Sequence, residues 1–116
     1  MNTSILADVR TACNVNEYDT AFDTQLIPLI NTFLFRLAQV GIGTKGFSVT
    51  GIDQKWNDFI PENSEYFHSV KTYVSIRVRL EFDPPDNSSV SAALQADAKE
   101  LEWCLYNEAE FGLTDM

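Results

Sequence analysis

Apolar positions recur along this chain with a helical period, and in one segment with two periods at once. In residues 3–13, TSILADVRTAC, Ile5, Val9 and Ala12 fall on one side, and Thr3 or Ser4 supplies capping chemistry. A helix is predicted there, broken by Asn14-Val15-Asn16. A second helix is predicted from about Asp19 to Val40, because Phe22, Leu26, Ile30, Phe33, Leu34, Leu37 and Val40 follow helical spacing. Asp19 or Thr20 is its N-cap candidate, Asp23 suits the positive helix end, and Gly41 is a natural stop. Pro28 removes an amide donor. It either kinks this helix or falls in the first turn of one that begins later.

Residues 41–53, GIGTKGFSVTGID, hold four of the five glycines and read as a loop. Within it Phe47-Ser48-Val49 has the pattern of a short strand. The stretch lacks the spacing of a phosphate-binding loop. Residues 54–59 predict one helical turn, ended by Pro61. Residues 64–82 are the ambiguous segment. Val74, Ile76, Val78, Leu80 and Phe82 alternate with polar residues as in a strand, while Phe67, Val70, Tyr73, Val74, Arg77 and Val78 make a helical stripe. Nineteen residues is long for a strand and ordinary for a helix, and Ser64 can cap. Helix is therefore preferred, with a strand at 74–82 as the alternative.

The sharpest punctuation follows. Asp83 precedes a proline and is pushed out of the helical region; Pro84 and Pro85 enforce an extended corner; Asn87 or Ser88 restarts a helix as its N-cap. Val90, Leu94, Ala98, Leu101 and Leu105 then share one face of a helix reaching about Glu110, roughly 34 Å long. Phe111-Gly112 is its predicted end. The fold class expected is all-α, a small bundle of about four helices with a glycine-rich loop and a short strand near 47–49 as an option. An α+β fold with a strand at 74–82 is the alternative. The organisation expected is one domain over residues 1–110 and a C-terminal tail over 111–116.

Charge narrows the function classes. Eight basic residues face 17 acidic ones, a net charge of −9. No basic stripe is visible, which argues against a tight grip on nucleic acid. Residues 97–116 carry six carboxylates with Lys99 as the one base, and a solvated helix face or an interaction surface accounts for them. His68 is the only histidine, so a cluster of histidines cannot hold a metal within one subunit, and Ser64 one turn away lacks a third group to orient it. No catalytic residue, cofactor or metal site is expected. Cys13 and Cys104 read as small buried apolar residues. Trp56, Trp103, Tyr66, Tyr73 and Tyr106 read as core or interface packing. No run is long and apolar enough for a membrane span, and the N-terminus lacks a basic start and apolar block, so a soluble, intracellularly made protein is expected.

Three blocks together resemble one family: DTAFDTQLIPLINTFLFRLAQVGIG at 19–43, KWNDFIPE at 55–62, and VKTYVSIRVRLEFDPPDNSSVSAALQADAKELEWCL at 70–105. Their order and spacing resemble the small head–tail connector proteins of long-tailed bacteriophages, the adaptor or head-completion type, especially from phages of Gram-positive bacteria. The most specific pieces are Tyr73 with Arg77, Phe82-Asp83-Pro84-Pro85 followed by Asn87-Ser88-Ser89, and Glu100-Leu101-Glu102-Trp103. Pro28, the region of Cys13 and the acidic C-terminal end depart from the pattern. The resemblance implies a helical bundle, which favours helix over 64–82. It also implies a homo-oligomeric ring of about twelve subunits in the virion neck. Such a ring docks on the portal protein, seats the next neck protein (a stopper or tail-completion protein) and extends the DNA channel without binding DNA tightly. Asp83, Pro84, Pro85, Asn87 and Ser88 are then the structural corner that fixes the angle between two long helices. Tyr73, Arg77, Glu100, Trp103, Phe111 and Leu113 are the candidate interface residues. The competing readings are a small acidic adaptor or regulator that binds one partner as a monomer, and an enzyme subunit whose site is completed across an interface.

Overall fold

The computed structural model describes residues 3–114, with side chains through 107. Five helices follow one another: α1 (Ile5–Ala12), α2 (Asp23–Gln39), α3 (Trp56–Phe59), α4 (Phe67–Phe82) and α5 (Ser88–Thr114). No strand occurs among the described residues; Ser4 and Lys55 form an isolated bridge. The all-α expectation holds.

The central element is α4, which packs against α1, α2 and α5. Phe67, Val70, Tyr73, Val74 and Val78 are its buried residues. Ile76, Leu80 and Phe82 are half-buried on its other sides. A helix covered from three directions carries apolar residues on several sides, and this produced the strand-like alternation over 74–82. The strand alternative there is overturned. The core is completed by Ile5, Leu6 and Val9 from α1, the Leu26, Ile30, Phe33, Leu34 and Leu37 stripe of α2, Trp56 and Phe59, and Leu105.

The caps expected for α1 and α5 form, whereas α2 and α4 start a few residues later than the capping chemistry suggested. For α1, Ser4 is the N-cap and accepts from the Ala7 amide at 3.3 Å. The predicted cap Asp19 of α2 turns back locally instead, accepting from the Ala21 amide at 2.9 Å, and the helix begins at Asp23. Pro28 therefore lies inside the helix, past its first turn, and its ring is exposed. Ser64 likewise accepts from the Tyr66 amide at 3.2 Å, so α4 starts at Phe67.

The loop after α2 is held by side chains. Val49 is buried, but a side-chain amide replaces the missing strand partner: its N–H donates to Asn31 Oδ1 at 2.7 Å and its carbonyl accepts from Asn31 Nδ2 at 3.0 Å. The strand at 47–49 is thus absent, although its alternating burial is real. Gly43 has a φ of +87°, and a Cβ there would lie 2.2 Å from the Phe59 ring, so both conformation and space demand glycine.

The corner forms as the prolines require. Asp83 sits at φ −146°, ψ 70°, outside the helical region, after its amide closes α4 on the Arg79 carbonyl at 2.8 Å. Asn87 is the N-cap of α5: its Oδ1 accepts from the amides of Ser89 at 2.8 Å and Val90 at 3.2 Å. α5 runs for 27 residues, about 40 Å, which nearly matches the 45 Å longest dimension of the chain. It passes through Phe111 and Gly112 to Thr114, so the helix end predicted at 111–112 is not there. Residues 115–116 of the expected tail lie outside the described residues.

Candidate functional site

Ordinary active-site chemistry finds little to work with. The imidazole of His68 is exposed and meets its neighbour Phe67 edge-on at 5.5 Å between centroids. The hydroxyl of Ser64 is occupied by the Tyr66 amide. Among the described residues no group of three histidine, cysteine or acidic side chains could hold a metal ion, and no helix is long and apolar enough to cross a membrane.

What the fold does build is a column of aromatic and charged groups across α2, α4 and α5. Tyr73 is wholly buried, and its hydroxyl donates to Glu102 Oε2 at 3.0 Å, tying α4 to α5. Burial, then the neighbouring Tyr106 and Glu102, push the Tyr73 hydroxyl far above its ordinary pKa, so it remains the donor of this bond. Phe33 of α2 meets the Tyr73 ring edge-on at 6.3 Å. The Arg77 guanidinium lies 5.0 Å from the centre of that same Phe33 ring, and Arg36 lies 5.6 Å from it. Neither arginine has a carboxylate partner among the described residues. The Nε of Arg77 is covered and unbonded.

The predicted interface residues thus separate. Tyr73 presents no surface and acts through packing. Arg77 is half-buried on Phe33. Glu100 is exposed, and Trp103 keeps 66% of its surface exposed on the outer side of α5. Beside Trp103 runs a groove of about 360 Å³ lined by Lys99, Glu102, Trp103, Tyr106 and Asn107. The side chains of Phe111 and Leu113 lie outside the described residues. Corner residues Asp83, Pro84, Asn87 and Ser88 are exposed, with Pro85 half-buried.

Sequence reasoning missed Arg36 of this column, and it missed one buried residue. Arg10 is buried, yet its Nε and Nη2 donate to the two carboxylate oxygens of Asp23 at 3.0 and 2.6 Å, and its Nη1 donates to the Glu17 carbonyl at 2.6 Å. This fork closes the loop between α1 and α2. The available signal was position: Arg10 lies one turn after Leu6, on the apolar face of α1.

The cysteines also separate. Cys13 is buried as expected, and burial, with Asp83 nearby, raises its thiol to about 11. Cys104 is exposed, against expectation, because Leu101 and Leu105 turn inward and leave it beside them on the α5 flank. A maleimide should label Cys104 in the native protein at neutral pH, and Cys13 only after denaturant is added. Mass spectrometry showing two labels without denaturant would contradict this placement.

The comparisons with known proteins are narrow. A family model described as phage connector protein matches residues 5–111, which includes α1 and reaches well into α5. No curated protein and no solved structure matches.

Proposed function

The chain belongs to the phage connector protein family, and we propose on that premise that it is a structural protein of the virion neck. In this reading about twelve copies form a closed ring beneath the portal, continue the DNA channel and seat the next neck protein. The family is structural and in general non-enzymatic, in keeping with the column of Phe33, Tyr73 and Glu102, which is packing and not a reaction centre. The observation that carries the proposal is the family match across all five helices.

Two features support it. The Asp83-Pro84-Pro85 corner gives α4 and α5 a stiff junction, and in a closed ring an error in that angle would be repeated at every subunit. The net charge of −9 suits a channel wall along which DNA slides without adhering.

The test is quantitative mass spectrometry of tailed particles assembled with this chain, comparing its copies with those of the portal protein. A ratio near one is expected. Absence from the particles would remove the neck reading and leave a monomeric adaptor as the better account.

A further inference from the structure

We propose that the Arg36–Arg77 pair, held on the Phe33 ring, is the receptor for the acidic outer side of α5 (Asp97, Glu100 and Trp103) of a second copy of this chain. This rests on the neck-ring reading and names the faces through which its subunits would meet.

Carboxylates outnumber basic side chains 17 to 8, yet two arginines from different helices sit on one ring with no carboxylate partner among the described residues. Arg10, by contrast, has a fork to Asp23, and Lys71 lies 3.9 Å from Asp8. The two charges share one ring, and an anion within reach of both offsets their mutual repulsion. Arg77 is half-buried on the ring with its Nε covered, so its head has less side-chain freedom to lose on binding. The covered Nε of Arg77 leaves its terminal nitrogens as the donors for a partner.

The complementary surface lies on the same molecule but pairs with neither arginine there. Asp97 and Glu100 are exposed on α5, and neither forms an ion pair among the described residues. Trp103, one turn on from Lys99, is the largest exposed apolar side chain among the described residues of that helix. Carboxylates beside an indole match what a pair of ring-mounted guanidinium groups recognises, through charged hydrogen bonds and cation–π stacking. The two faces belong to different elements, which permits a head-to-tail contact. A head-to-tail contact closes into a ring when the rotation permits. DNA phosphate is the weaker match for the arginines, because the net charge of −9 opposes the approach of a duplex.

The experiment uses the purified full chain, with sedimentation equilibrium over a concentration series at low and high salt. Wild type should gain mass with concentration and lose it as salt screens the contact. Arg36→Glu/Arg77→Glu and Asp97→Arg/Glu100→Arg should each weaken self-association at least about tenfold. Circular dichroism should show both still helical. Mixed in equal amounts, the two variants should associate with each other, since each then meets a face of opposite sign. A wild-type chain that stays monomeric throughout would overturn the proposal. So would association that survives both reversals, or a mixture that fails to recover. Loss of duplex DNA binding in Arg36→Glu/Arg77→Glu, with self-association intact, would assign the arginines to phosphate instead. The particle count is independent: a ratio near one alongside any of these failures removes this interface and keeps the neck reading.

Discussion

Asp23→Ala should destabilise the protein by about 2–4 kcal/mol, because it strands a buried guanidinium. Removing one partner of a buried ion pair leaves the other charge desolvated and uncompensated, at about 3–5 kcal/mol. The lower range here reflects the Asp23 side chain, which remains 22% exposed and lets water approach the pair. Arg10 is only 4% exposed in its side chain and cannot turn out to solvent without opening the junction of α1 and α2. The paired change Arg10→Met/Asp23→Leu should cost less than Asp23→Ala, since it removes the buried charge together with its partner. Urea denaturation of Arg10→Met, Asp23→Leu and the double variant closes a cycle that isolates the coupling. Coupling near zero would show that the fork contributes nothing beyond packing.

Trp56→Ala should be the other severe change, costing about 3–5 kcal/mol as a large side chain is deleted from a filled site. Trp56 is wholly buried although it begins a helix of four residues. Such a helix is too short to stand by itself. Its indole Nε1 donates to Asp8 Oδ2 at 2.8 Å, and its amide donates to the Thr3 carbonyl at 3.2 Å. The Thr3 hydroxyl donates to the same carboxylate oxygen, so Asp8 collects the N-terminal segment and the middle of the chain at one point. Trp56→Phe keeps most of the bulk and loses the indole bond, and should cost about 1–2 kcal/mol. Denaturant melts would rank the two. Hydrogen exchange should show the greatest loss of protection around residues 44–60 in Trp56→Ala, and uniform loss across all helices would contradict the local role.

These sites show where sequence was informative and where it stopped. The helices of the bundle could be read because their apolar stripes are local and repeat every three or four residues. The corner could be read because proline and asparagine act on their own backbone: Asp83 left the helical region and Asn87 capped α5 through its own side chain. Helix starts were harder, since Asp19 and Ser64 used their capping oxygens two residues onward in turns. The partners of Arg10 and of Asn31 could not be read, because each bond joins segments that are distant in sequence. Cys104 was misjudged because residue type reports average burial, whereas its place on the α5 flank is set by which turn faces α4. The arginine column fared in between. Arg77 was singled out, but Arg36 lies far away in the chain, and only the fold sets both on Phe33.

The bond from Trp56 to Asp8 spans 48 positions. A ribosome adding about 5–20 residues per second needs roughly 2–10 s to cover that distance. Through that interval α1 has left the exit tunnel without its indole partner, and the apolar side it will bury stays open to chaperones. The first helix made can be tied early through Arg10 to Asp23, but its indole latch closes only when the middle of the chain arrives, so a translational pause before Trp56 would lengthen the time that α1 waits half-fastened.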